Sequence, residues 1–232
     1  MSDRVAIVTG AGRGIGRAAA AELSRRGYRL ALVSRTRAEL EETARLCAAG
    51  AAEVFAADVS HADQVDDLIE RVASRFGRVD ALIHAAGVAM LRSIEELSPA
   101  EWRTLIDTNL SAIYFFCRRL WPIWRRQGGG VVVNVSSVSA RDPFAGLGAY
   151  GAAKAGVNLL GLALAREGAA IHVRVHTIAP GAVETAMLRS MFTHRQLPPE
   201  NALDPADVAR VIVQCVCGEL ACTSGEVIYV HR

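Results

Sequence analysis

Lysine is almost missing from this chain. Of the 26 lysines and arginines in its 232 residues, a single one, Lys154, is a lysine. A lone lysine among arginines reads as kept for its chemistry. Excess charge is missing too. The formal net charge is +2 and no Lys/Arg-rich block occurs, which argues against a nucleic-acid partner. No apolar run reaches membrane-spanning length without a charge. The N-terminus enters the strand-like "RVAIVT" with no long apolar leader. The expectation is therefore a cytoplasmic protein with no membrane partner. Paired cysteines are lacking as well. Cys47, Cys117, Cys215, Cys217 and Cys222 are odd in number, and "CVCGELAC" has no C-x-x-C spacing. That argues against a disulfide framework. The five are read as small buried hydrophobes, and no metal is expected.

What is present is 51% hydrophobic and 22% charged residues, the balance of a soluble globular enzyme. Short β-branched runs alternate with helical patterns. "RVAIVT" precedes a helix ending at Gly27, "YRLALV" one ending at Gly50, and "EVFAADV" one ending at Gly77. "VDALIHAAG" leads to a long helical segment opened by a capping box, with Ser98 as N-cap, Pro99 first in the helix and Glu101 closing the box. "GGGVVVNVSS", the helix carrying "YGAAKAG", "HVRVHTIAPG", a helix capped by Asp204 and opened by Pro205, and "GEVIYV" complete the chain. This alternation implies one α/β domain over residues 1–232. Its Rossmann-type, doubly wound parallel sheet would have about seven strands, with helices on both faces.

Between the first strand and first helix stands "TGAGRGIG", with Gly10, Gly12, Gly14 and Gly16. Glycines there permit a tight turn, let the backbone approach a pyrophosphate, and expose helix N-terminal amides to its charge. The second strand ends "SRTR". It lacks the carboxylate that selects NAD by binding the ribose 2′-hydroxyl, and the first acid beyond it, Glu39, falls inside the next helix. Arg35 and Arg13 are candidates for pairing with a 2′-phosphate. Arg37 reads as a solvated surface charge.

In "YGAAKAG", the spacing of Tyr150 and Lys154 puts a phenol and an ammonium on one helix face. A free phenol titrates near 10. A neighbouring cation would draw that pKa towards neutrality, so that the group could exchange a proton with a carbonyl oxygen. Ser136 and Ser137 end the fifth predicted strand, where a hydroxyl can donate to an oxygen gaining negative charge.

Together these motifs resemble the short-chain dehydrogenase/reductase family over almost the whole chain, most closely bacterial 3-oxoacyl-carrier-protein reductases. "TGAGRGIG" is similar to the family's T-G-x-x-x-G-x-G, matched at Thr9, Gly10, Gly14 and Gly16, with Gly12, Arg13 and Ile15 in the same turn. The resemblance implies a tetrad of Asn109, Ser137, Tyr150 and Lys154, the serine chosen because it lies thirteen residues before the tyrosine. It further implies cofactor contacts from Ser34 and Arg35, from Asp58 and Val59, from Ala86 and Gly87, and from Tyr150 and Lys154. "PGAVET" would hold the nicotinamide amide through Pro180, Gly181, Val183 and Thr185. The cofactor so implied is NADP(H), the substrate a small ketone or alcohol, and the assembly a homodimer or homotetramer. The family's N-N-A-G is "HAAG" here, with His84 and Ala85 for the asparagines, and His84 reads as a satisfied core residue. Relatives that dock carrier protein carry arginines where this chain has Gly128 and Ile171; Arg125, Arg126 and Arg174 are offset by a few residues. The activity expected is NADPH-dependent ketone reduction. The alternatives are an alcohol dehydrogenase or xenobiotic carbonyl reductase, and a non-catalytic NADPH sensor.

Overall fold

The computed structural model describes residues 4–232. Seven parallel strands form one sheet: β1 (Val5–Thr9), β2 (Arg29–Ser34), β3 (Ala52–Ala56), β4 (Ala81–His84), β5 (Gly130–Val135), β6 (Val173–Pro180) and β7 (Val227–Val230). Their order is β3-β2-β1-β4-β5-β6-β7. The chain winds outwards from β1 in one direction, returns, and winds outwards in the other. The reversal between β1 and β4 opens a crevice at the carboxyl ends of the two strands, the usual ligand position in such sheets.

Apolar runs such as "VAIVT" become strands covered on both faces, as a parallel sheet requires. On β1, Ala6 and Val8 pack towards α1 (Gly14–Arg25), α2 (Arg37–Leu46) and α8 (Pro205–Cys217). Ile7 packs on the opposite side, towards α3 (Ala62–Phe76), α5 (Ala112–Gln127) and α6 (Gly148–Gly168). The two cores hold the sheet rigidly between layers, so the loops at its carboxyl edge have fixed roots.

The capping box forms as read. Ser98 Oγ accepts from Glu101 N–H at 3.2 Å, and Glu101 Oε2 accepts from Ser98 N–H at 2.9 Å. Asp204 and Asp207 make a second box at the start of α8.

Three expectations are corrected. The second helix stops at Leu46 rather than Gly50, because Ala48 N–H donates to Ser24 Oγ at 2.8 Å and takes the chain out of the helix. The long segment after Ser98 is not one helix: α4 (Pro99–Ile106) and α5 are joined by a π-helical turn, Asp107–Ser111. Among the cysteines, only Cys117 and Cys215 are buried; Cys47 and Cys217 are partly exposed and Cys222 is exposed. The segment after β6 forms a short α7 (Ala186–Met191) that the sequence pattern did not announce.

Candidate active site

The glycine turn lies on the crevice floor. Gly10 has φ 64°, and a Cβ there would stand 2.7 Å from the Ala85 carbonyl oxygen and the Ala86 nitrogen. A side chain would thus push β1 away from the loop after β4. Thr9 ties the same two pieces together: its hydroxyl accepts from Ala86 N–H at 3.1 Å and meets His84 Nδ1 at 3.2 Å. Burial, helped by the nearby Lys154 charge, pushes His84 down to about 3. The imidazole is therefore neutral; Nδ1 meets Thr9, but Nε2 is buried without a hydrogen-bond partner among the described residues, so the expectation of a fully satisfied core histidine is corrected.

Above this floor is a cleft of about 200 Å³. Its walls come from Gly10, Gly12, Arg13, Gly14, Ile15 and Gly16, from Ser34 and Arg35, from Asp58 and Val59, from Ala86 and Gly87, and from Thr185. Five separate segments expected to meet a cofactor thus share one cavity. Thr9, Tyr150, Lys154, Pro180, Gly181 and Val183 do not line it. Thr9 is wholly buried beneath, Gly181 N–H donates to Val230 O at 2.9 Å, and Val183 bridges to Leu203. Thr185 caps α7, accepting from Leu188 N–H at 3.2 Å, and its methyl would lie 3.1 Å from a Cβ on Gly14.

The sequence missed several wall residues, among them one charged side chain. Glu39, on the first turn of α2, turns back over the glycine turn. A Cβ on Gly12 would stand 2.8 Å from its Oε2 and 3.2 Å from Ser34 Oγ. Its Oε1 lies 3.8 Å from Arg13 Nη1. Arg35 Nη1 lies 3.9 Å from Asp58 Oδ2. Burial raises the Asp58 pKa, but hydrogen bonds from Ser60 and the Arg35 charge outweigh it and hold the carboxyl below its usual range. Arg37 pairs with Glu41 at 2.9 Å on the exposed side of α2, away from the cleft. By sequence pattern alone, a place inside the second helix removes Glu39 from the site; the nearness of a first helical turn to the strand end before it is the signal that keeps it.

The second cluster stands beside Gly87. Lys154, 4% exposed, donates from Nζ to the Val135 carbonyl at 2.8 Å and lies 5.7 Å from the centre of the Tyr150 ring. Burial lowers it to about 8. The phenol does not move the way the sequence suggested. In the protein alone, burial pushes Tyr150 up to about 12, with a hydrogen bond to Ser137 acting against the rise. The two serines part company here. Ser136 Oγ donates to the Lys154 backbone carbonyl at 3.2 Å, a packing role, whereas Ser137 pairs with the phenol and caps a short 3₁₀ turn by accepting from Ser139 N–H at 3.1 Å. Asn109 is fully buried in the π turn. Its Nδ2 donates to Val88 O and Leu105 O, both at 2.9 Å, and its Oδ1 accepts from Val88 N–H at 3.3 Å. A Cβ on Gly87 would stand 2.8 Å from Asn109 Oδ1 and 3.6 Å from Lys154 Nζ. Only glycine lets the cleft floor run between these two groups.

These residues fit a dinucleotide. The glycines leave bare main chain along the floor. The first turn of α1 has no side-chain cap and no acidic residue, so its N–H groups are available to a pyrophosphate. The cleft runs from Ser34 and Arg35 past that helix end to Gly87, next to Lys154 and Asn109, with Tyr150 beside that lysine.

This build places the chain among the dinucleotide-dependent α/β oxidoreductases. Within them it belongs to the short-chain dehydrogenase family, whose model matches residues 4–196. An uncharacterized oxidoreductase of Staphylococcus epidermidis is 34% identical over 206 residues, covering 88% of this chain and 89% of that protein. Another, from Staphylococcus aureus, is 31% identical over 214 residues, covering 92% and 90%. Among solved structures, a 3-ketoacyl-(acyl-carrier-protein) reductase from Brucella melitensis complexed with NADH superposes with a TM-score of 0.92 at 30% identity, covering 98% of this chain and 96% of that one. Levodione reductase superposes with a TM-score of 0.91 at 28% identity, covering 100% and 97%. Among the described residues, no helix is long and apolar enough to cross a membrane.

Proposed function

We propose that this protein is an NADPH-dependent reductase of a small ketone to a secondary alcohol. One observation carries the reading: Tyr150 lies beside Lys154 and within reach of Ser137, and Gly87 separates that lysine from Asn109 at the end of a cleft shaped for a dinucleotide. Nicotinamide, when bound, supplies the hydride for the ketone carbon. The protein's part is to manage charge on the oxygen. Ser137 and Tyr150 hydrogen-bond that oxygen, and Tyr150 gives it the proton that completes the alcohol. A phenol pushed up to about 12 remains protonated at neutral pH, which is the form a reductase needs at the start of its cycle. Lys154 binds the ribose hydroxyls and, as a cation beside the ring, stabilises the phenolate left behind. Asn109 shapes the route by which the proton is replaced.

NADPH is favoured over NADH because Arg13 and Arg35 face the cleft at the β2 end, where no acid ends the strand. The protein acts in solution as a homodimer or homotetramer and in the cytoplasm. The test is loss of nicotinamide absorbance with a panel of ketones, run in parallel with NADPH and NADH. Turnover with NADPH and a weaker response to NADH is expected. Tight NADPH binding with no turnover of any ketone would point instead to a sensor, and equal use of both cofactors would overturn the NADPH assignment.

A further inference from the structure

At the β2 end of the cleft, two arginines meet two carboxylates, so the pocket proposed for a 2′-phosphate carries no net charge. The members differ in how firmly they are held. Asp58 is engaged: its Oδ1 accepts from Ser60 N–H at 3.0 Å and from Ser60 Oγ at 2.7 Å, and Arg35 is a further partner at 3.9 Å. Glu39 has no such anchorage. Arg13, at 3.8 Å, is the one ionic partner of its carboxylate among the described residues, and the pair is too long for a hydrogen bond. The Glu39 side chain is 34% exposed and leans over Gly12 beside Ser34 Oγ, on the wall of the cleft. Any larger residue at Gly12 would displace it. The carboxylate thus stands among Arg13, Ser34 and Arg35, the groups that a 2′-phosphate would use.

We propose that Glu39 is a specificity-determining residue: by occupying Arg13 it competes with the 2′-phosphate and restrains the preference for NADPH over NADH. The proposal rests on the reading that these arginines meet the phosphate. A phosphate entering this pocket must draw Arg13 from Glu39 and lie next to the remaining negative charge. A cofactor with a free 2′-hydroxyl does neither. The carboxylate therefore penalises one cofactor and spares the other, which is selection by a repulsive element. For a partly exposed site, the effect should be about tenfold in affinity, diminishing with salt.

The experiment is calorimetric binding of two fragments, 2′,5′-ADP and 5′-ADP, to the wild type and to Glu39→Gln, Arg13→Gln, the double variant and Arg35→Gln. Glu39→Gln keeps the side-chain shape and removes the charge. It should tighten 2′,5′-ADP about tenfold at low salt and leave 5′-ADP within about twofold. In the Arg13→Gln background the gain should shrink, because the competition for that arginine is gone and only the direct repulsion between carboxylate and phosphate is left. Unchanged or weaker 2′,5′-ADP binding in Glu39→Gln overturns the proposal, and so does equal tightening of both fragments. So does a loss confined to 5′-ADP, which would make Glu39 a ribose-hydroxyl acceptor. The underlying reading is tested separately by Arg35→Gln, which should weaken 2′,5′-ADP alone. If the wild type shows no fragment preference but Glu39→Gln creates one, the wild-type NADPH assignment fails while Glu39 stands as the selector.

Discussion

Tyr150 and Lys154 are pushed in opposite directions by the same cause. Burial disfavours the charged form of each, which raises the phenol to about 12 and lowers the ammonium to about 8. The free protein therefore has both protons in place near neutrality, and Lys154 is the first to lose one as pH rises. The kcat/KM for NADPH, which reports groups of the free enzyme, should be flat through neutrality and fall near pH 8 as Lys154 loses its charge. Lys154→Arg should move that limb upwards, and an unchanged limb in this variant would assign it to another group. Tyr150→Phe should lower turnover by about 10²–10⁴-fold while NADPH affinity, measured by fluorescence titration, stays nearly constant, since in the proposed reaction the phenol acts on the ketone oxygen. Lys154→Ala should weaken both. Gly87 is as constrained as the tetrad: in Gly87→Ala the new methyl would lie 2.8 Å from Asn109 Oδ1. Displacing that amide should cost on the order of 100-fold in kcat and, as its buried bonds to Val88 and Leu105 weaken, a few degrees in melting temperature.

At the scale of elements, the π turn is the decisive piece. A regular helix from Pro99 onwards would keep Leu105 O bonded to a backbone N–H one turn ahead. The wider turn at Asp107–Ser111 lets Asn109 Nδ2 take both that carbonyl and Val88 O, so the helix is stitched to the loop after β4. Helix α4 in turn hangs on its capping box. Ser98→Ala should cost about 1 kcal/mol, or roughly 2–4 °C in Tm for a chain of this size. Thermal denaturation should show that shift with kcat preserved, because Ser98 lies at the far end of α4 from Asn109. A loss of turnover larger than the loss of stability would mean that the cap also positions the π turn.

For the molecule as a whole, acid is the expected weakness. His84 is held down to about 3 by burial and the Lys154 charge, and His176 to about 4 by burial and the Arg174 charge. In the unfolded chain both would titrate near 6.5. Between those values the unfolded state binds protons that the folded state refuses, so acidification favours unfolding. Stability should fall as pH drops from about 6.5 towards 4, with a slope of up to about 1.4 kcal/mol per pH unit for each imidazole. Denaturant titrations at a series of pH values should show the slope flattened in His84→Asn and in His176→Asn. Carrier-protein dependence also belongs to this scale. Arg125 and Arg126 end α5, at the opposite edge of the sheet from Tyr150, and Arg174 lies against Gly218. A basic patch beside the active-site mouth is what an acidic carrier would need. The expected result is similar kcat/KM for one acyl ketone presented free and on carrier protein; a large, salt-sensitive advantage for the carrier-bound form would overturn it.

The sequence by itself determined the alternation of strands and helices, the glycine turn, the Tyr150–Lys154 pair and the starts of α4 and α8. Each depends on contacts within a few residues: hydrophobic period, a cap bonding its own first turn, a glycine where the backbone must turn or be bare. Residues separated along the chain were decided only by tertiary structure. Ser136 and Ser137 are neighbours in sequence, yet the pleat and the approach of α6 give one a packing bond and the other the phenol. Glu39 belongs to a helix by pattern, but α2 packs so that its first turn overhangs Gly12. The phenol's pKa could not be read from the lysine four residues away, because burial by the surrounding elements outweighs that one charge. The π turn comes with one asparagine amide bonding both Val88 O and Leu105 O, a partnership with the loop after β4 that no helical period records.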